Sequence, residues 1–330
     1  MSYRFDIHVN LRAFAGSRRG KQQRDVTPED MAQYFETHSI THSLVLYNRD
    51  DYKDLEKLST LTSTKIYGVQ CLFGPTQEDP TDIDTVPELD VNVEGRSFLS
   101  GGHCYGVKFA SERGWWKRGD EVQSGMCYHK DKIVRKVLDQ LPKNAIVSMH
   151  TQGTSKPDNT SRPMMLTVLA TKYTHLKFII NHTGDYGPSA TIAKPSVKRI
   201  LNGEGMSNLL RHVSHRMIIR GGLEATQWYH NIFGDMSCCT PIKAALARDY
   251  DQWCAGSDYP FSENFDINYT NERKMFDKYT DIPDDNAVHF FETDVDQLMT
   301  ERLEWHQGYF DELKEFRNDR KEQQSLSKKR

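Results

Sequence analysis

FDIHVN, residues 5–10, opens the chain with an apolar run that carries Asp6, His8 and Asn10 at alternate positions. In a strand, residues i, i+2 and i+4 share a face, so the three polar side chains are expected to converge on one space. Seven further short apolar runs follow: SLVLYN (43–48), KIYGVQCLF (65–73), YGVKFA (105–110), AIVSMH (145–150), KFIINH (177–182), NIFGDMS (231–237) and WCAGSDY (253–259). Helical patterns separate them. Thr27-Pro28-Glu29-Asp30 reads as an N-cap with proline in the first turn, ahead of MAQYFETH, and further helices are expected at 52–61, 130–141, 164–174, 208–229 and 241–250. Strands alternating with helices imply parallel β-α units. Eight such units predict an α/β chain folded as a closed (β/α)8, or TIM, barrel.

The rhythm breaks at 74–102, rich in Pro, Gly and Asp, and at 111–128, SERGWWKRGDEVQSGMCY. Loops that follow strands lie on the catalytic face of such a barrel, so the second insertion is expected to shape a pocket there. From about residue 295 the pattern becomes a long polar helix ending in RKEQQSLSKKR. The division is therefore a barrel domain over 1–294 and a C-terminal helix with a polar tail over 295–330.

At 330 residues, a large core is within reach without staples. Lys and Arg total 43 against 46 Asp and Glu, a net charge of -3, which excludes a general nucleic-acid or membrane-surface binder. Six cysteines show no C-x-x-C pair and no regular spacing, so neither a zinc ribbon nor a disulfide framework is indicated, and a reducing, cytoplasmic setting is expected. The adjacent Cys238 and Cys239 read as small packing residues. Neither a signal peptide nor an 18-residue apolar span is found. A small-molecule substrate is the expected partner, with assembly into a homo-oligomer left open.

Four strands end in a ligand-type residue: His8, His150, His182 and Asp258. Singly, each fits a histidine hydrogen-bonded in a loop, or an aspartate capping a turn. Together they fall on one rim of the barrel. Imidazoles plus a carboxylate on one rim suit a divalent ion with an open position for water. After the first strand, a loop carries Arg12, Arg18, Arg19, Lys21 and Arg24, and after the fourth strand come Arg113, Trp115 and Trp116. Arginine pairs with carboxylate and phosphate, so Arg18, Arg19 and Arg113 with Trp115 suggest an anionic substrate; a solvated surface is the competing reading.

The same segments resemble the amidohydrolase-related family (amidohydrolase 2) of metal-dependent TIM-barrel hydrolases over roughly 1–290. FDIHVN stands for its D-x-H-x-H first strand, IVSMHT for the fifth, and LATKYTHLKFIINHTGDYG for the helix and sixth strand. NIFGDMS stands for its N-v-y-x-D-x-S seventh strand and WCAGSDYPF for its f-G-S-D-x-P eighth. The resemblance implies His8, His150 and Asp258 as metal ligands. Asn10, where the family has a second histidine, would be a weak fourth. It further implies His182 as the imidazole over the substrate carbonyl and Asp258 as acceptor of the attacking water's proton. Lys108 resembles the bridging lysine of two-metal members, with substrate binding or simple strand closure as the alternatives. Asp6 is expected to orient backbone or a histidine. One divalent metal, zinc foremost, is implied; Asn10 makes manganese more plausible and leaves a metal-free site open. The implied activity is hydrolysis of an amide, lactone or ester. The alternatives are a non-oxidative decarboxylase of the same family, a metal-independent lactonase, or an inactive scaffold supported by Asn10 alone.

Overall fold

A computed structural model describes residues 3–11, 26–72, 89–90, 104–109, 132–149, 163–184, 220–237, 241–259 and 269–327. Eight strands follow one another around a single parallel sheet: β1 (Phe5–Asn10), β2 (His42–Tyr47), β3 (Lys65–Leu72), β4 (Cys104–Phe109), β5 (Ile146–Met149), β6 (Lys177–Ile180), β7 (Ile232–Asp235) and β8 (Trp253–Cys254). The sheet closes on itself. Ile7 N donates to Ala255 O at 3.3 Å, Asn10 N donates to Tyr259 O at 2.7 Å, and Val9 bridges Tyr259 in parallel. The chain is thus a (β/α)8 barrel.

Helices lie between the strands and pack their apolar stripes on the barrel. The first, Pro28–Thr37, begins with the reciprocal cap that its sequence announces: Asp30 N donates to Thr27 Oγ1 and Thr27 N donates to Asp30 Oδ2, both at 3.1 Å. Such a cap contributes about 1 kcal/mol, and it starts the helix in the register that buries Met31 and Phe35. Other helices run over Tyr52–Leu61, Lys132–Leu138, Pro163–Lys172, 220–228, Pro241–Ala247 and Tyr269–Tyr279. No helix among the described residues is long and apolar enough to cross a membrane. Cys71, Cys104 and Cys254 are buried free thiols.

Two cores result. One lies between barrel and helices; the other fills the barrel with Ile7, Leu46, Val69, Ile179, Phe233 and Cys254 among others. The helix Asp284–Glu292 stops the N-terminal end of this inner core, with Phe291 packed at 4.8 Å from Phe5 and 4.9 Å from Tyr67, and Phe290 at 5.0 Å from Phe233. Each ring buried there contributes about 2–3 kcal/mol.

Lys177 is a charged group buried at the plug. Its ammonium donates to Phe291 O at 2.9 Å and lies 5.7 Å from the Phe290 ring centre. Burial pulls its pKa down to about 8, against the opposing charges of Asp294 and Glu292. Unfolded, a lysine titrates near about 10.4. Between these values the unfolded chain binds more protons, so this group's contribution to stability should rise as pH is raised from about 8, by on the order of 3 kcal/mol at completion. Urea unfolding of the native protein and Lys177→Met at pH 8 and pH 10 checks this. Equal pH slopes in the two proteins would refute it.

Candidate active site

The site begins with an irregularity in β1. Asp6 pairs with Ser43 but Val9 pairs with Val45, so β1 carries one extra residue between them, a bulge. The bulge reverses the alternation of faces. Phe5 and Ile7 belong to the inner core below it, whereas above it Val9 and Leu11 join the outer core. His8 and Asn10 therefore face the barrel interior, and Asp6 faces outward. The expectation that all three share one space is corrected accordingly: an added residue costs a half-period of a two-residue repeat. Asp6 accepts from Tyr34 Oη of the first helix at 2.9 Å, Ser257 N at 2.9 Å and His8 N at 3.3 Å. Burial pushes its carboxyl up to about 6, opposed by the Ser257, His8 and Tyr34 hydrogen bonds. It ties the end of β8 to β1, which is the orienting task expected of it.

On the inner side, His8 is the hub. Its Nδ1 lies 2.5 Å from Asp235 Oδ2, at the end of β7. Its Nε2 lies 3.0 Å from Lys108 Nζ on β4 and 3.4 Å from Asp258 Oδ1 beyond β8. A carboxylate accepts only, and an ammonium donates only, so Asp235 at Nδ1 and Lys108 at Nε2 select the Nδ1–H tautomer with its lone pair on Nε2. Asn10 Nδ2 donates to Asp258 Oδ1 at 3.0 Å and to Tyr259 O at 3.3 Å, which steers the Asp258 carboxylate toward His8. The His182 ring stands 4.8 Å from that of His8, and Ser237 Oγ lies 2.8 Å from its Nδ1. Lys243 Nζ donates to the His182 carbonyl at 3.0 Å and holds that turn from behind.

Asp235 is fully buried. Besides His8 it accepts from Ser237 N at 2.6 Å, Ser237 Oγ at 2.8 Å and His182 N at 3.3 Å. Burial raises its carboxyl, but the His8 ring and the Ser237 donors outweigh that and keep it below the ordinary carboxylate range. Two further features mark the site. His182 and Asp258 adopt positive φ, 56° and 52°, a left-handed conformation that costs a residue with a Cβ about 1–2 kcal/mol. Gly256 closes it underneath: a Cβ there would lie 2.8 Å from Asp235 Oδ1 and 2.9 Å from His8 Cβ.

The structure thus brings His8, Asn10, Lys108, His182 and Asp258 together at the C-terminal strand ends. His150, Arg18, Arg19, Arg113 and Trp115 lie outside the described residues. Asp235 and Ser237 were missed by sequence reasoning, although NIFGDMS contains both: Asp235 shares the inward face of Phe233 one step nearer the rim. As a test of metal fit, His8, His182 and Asp235 offer donor atoms within 4.8 Å of one another. Neutral imidazoles with carboxylates suit a borderline divalent ion, and a carboxylate holding the far nitrogen of a ligating histidine is its usual support. His8 Nε2 and Asp258 Oδ1, 3.4 Å apart, fit such an ion as donors, with Asp235 as the carboxylate behind His8 and Lys108 Nζ as the ion's competitor at His8 Nε2.

Fold and site together define an eight-stranded β/α barrel with a buried histidine, aspartate and lysine cluster at its C-terminal rim. Solved structures that it resembles include amidohydrolases. One, from Burkholderia multivorans with bound zinc, shares 12% identity over 88% of this chain and 99% of that one, with a TM-score of 0.54. A second, from the same organism with bound HEPES, shares 12% over 88% and 96%, with a TM-score of 0.51. An amidohydrolase 2 from Bifidobacterium longum subsp. infantis shares 13% over 89% and 100%, with a TM-score of 0.48. At 12% identity the likeness to the two Burkholderia structures concerns the fold alone. No family model and no curated protein matches the chain.

Proposed function

We propose that this chain is a metal-assisted hydrolase of the amidohydrolase-related family, cleaving an amide, lactone or ester bond of a small anionic substrate in the cytoplasm. The observation that carries this is the convergence of His8, Lys108, His182, Asp235 and Asp258 from five parts of the barrel on one buried cluster. His8 through Nε2 and Asp258, with His150 and Asn10 as the further ligands that the resemblance implies, would hold one divalent ion, zinc or manganese. Such an ion supplies Lewis acidity, polarising a carbonyl and acidifying water. The chain does the rest. Asp258 accepts a proton from the attacking water, steered by the Asn10 amide. His182, held at Nδ1 by Ser237, presents its ring to the carbonyl oxygen as negative charge develops there. Lys108, on the inner face of β4 beside His8, would pair with a substrate carboxylate. Arg18, Arg19, Arg113 and Trp115 would extend the anion-binding mouth.

Hydrolysis is favoured over decarboxylation by Asp258, a carboxylate placed to receive a proton beside an imidazole. The test is metal analysis of protein purified without chelator, followed by a screen of lactones, amides, esters and aromatic carboxylic acids that records both acid and carbon dioxide release. We expect about one equivalent of divalent metal, acid release from a carboxylate-bearing substrate, and loss of that activity in chelator with recovery on adding zinc or manganese. Carbon dioxide release without hydrolysis would replace this reading with the decarboxylase. Hydrolysis that persists in chelator would replace it with a metal-independent lactonase.

A further inference from the structure

At the opposite end of the barrel, a cavity of about 330 Å³ lies between the helix 220–228, the start of β8, the helix Asp284–Glu292 and the C-terminal helix Val295–Ser327. Phe233 and Phe290 form its inner wall and separate it from the inner core. Arg302 lines it. This side chain is only 5% exposed, yet its Nε and Nη2 are buried without a hydrogen-bond partner, and among the described residues no carboxylate lies within ion-pair distance. The Trp305 ring lies 4.5 Å from the guanidinium carbon.

A buried guanidinium without a counter-ion is among the costliest arrangements in a protein interior, and stacking on an indole offsets only part of that cost. The neighbours do not neutralise it. Glu301 is engaged by His289 Nε2 at 2.9 Å and Gln297 Nε2 at 3.0 Å, and Asp251 acts on Arg302 only through space. His230 uses Nδ1 to donate to Leu298 O at 2.7 Å, and burial followed by the Arg302 charge pulls it down to about 4, so it is neutral at physiological pH. Even after burial lowers it, Arg302 titrates at about 10 and keeps its proton.

We propose that this cavity is a binding site for a small molecule bearing an oxyanion, a carboxylate or a phosphate, which pairs with the Arg302 guanidinium while the Trp305 ring backs it. The planar fork of donors on arginine matches both groups. The site is separate from the rim cluster and does not depend on the activity proposed for it.

The test is thermal unfolding in inorganic phosphate and, separately, in malonate, each balanced against chloride at constant ionic strength. A ligand bound only by the folded state at a hundred times its dissociation constant should raise the melting temperature by about 5 °C. The anion with the lower half-saturation identifies the source chemistry. Lys108→Met, which alters the rim cluster, should keep the shift. Arg302→Met should lose it, and Arg302→Lys should need at least about tenfold more anion. A shift that survives in Arg302→Met, or no shift with either anion, overturns the proposal. Should both Arg302 variants fail to fold, crystals of the unaltered protein soaked in phosphate decide it: an anion within hydrogen-bond reach of Arg302 supports the site, and water alone there refutes it.

Discussion

Asp235→Asn should lower kcat/KM by about 10³- to 10⁴-fold, the scale expected when the carboxylate orienting a catalytic histidine becomes an amide. Both carboxylate oxygens are committed. Oδ1 accepts from Ser237 N, and Oδ2 accepts from Ser237 Oγ and His182 N while facing His8 Nδ1 at 2.5 Å. An amide must turn its NH2 toward one set of these donors. Placed at Oδ1, it meets an N–H 2.6 Å away. Placed at Oδ2, it forces His8 to accept at Nδ1 and carry its proton on Nε2, so the lone pair facing Lys108 is lost. The variant should also be less stable by about 1–3 kcal/mol, because a buried donor is left unpaired, and it should bind metal about 10- to 100-fold more weakly. Kinetics, metal titration and the ¹⁵N shifts of the His8 ring check the three effects. A rate within about tenfold of the native enzyme, or an unchanged His8 tautomer, would show that Asp235 is only packing.

The barrel was legible because each strand is a short apolar run bounded by a helix signal, a pattern that the parallel topology requires. Helix capping was legible for the same local reason, as at Thr27 and Asp30. What escaped depends on contacts remote in sequence. The β1 bulge has no glycine or proline to announce it, so Asp6 was assigned to the wrong face; only its pairing with Ser43 reveals the extra residue. The helix Asp284–Glu292 lacks a side-chain cap at Pro283 and buries Ala287, Val288, Phe290 and Phe291, a broad patch where a surface helix would show a stripe. It plugs a barrel end, and nothing local says so. Asp235 stood in a quoted motif, but its role arises from Oδ2 lying opposite a histidine 227 residues away. The left-handed backbone of His182 and Asp258 was likewise hidden, since neither is glycine. Strain of this kind is tolerated where the surroundings fix it, and here those surroundings are the site itself.

The glycine beneath that site carries the second large effect. Gly256→Ala should lower kcat/KM by about 100-fold or more while reducing stability by about 1–3 kcal/mol. The added carbon would lie 2.8 Å from Asp235 Oδ1, 2.9 Å from His8 Cβ and 3.1 Å from Ser237 Cβ. The carboxylate cannot swing aside without breaking the bond from Ser237 N, and the two Cβ atoms are fixed to strand ends. Relief must come from moving β1 away from β8, which would separate His8 from Asp258, now 3.4 Å apart, and weaken the Asp258 N to His8 O bond that joins the strands. Gly308→Ala provides the opposite control. It sits within the C-terminal helix with nothing within 4 Å of an added Cβ, so it should leave the rate unchanged and stabilise by about 0.5–1 kcal/mol through helix propensity. If Gly256→Ala instead keeps native kinetics, the rim cluster tolerates displacement of His8 and Asp235, and the precise placement on which the proposed chemistry depends is wrong.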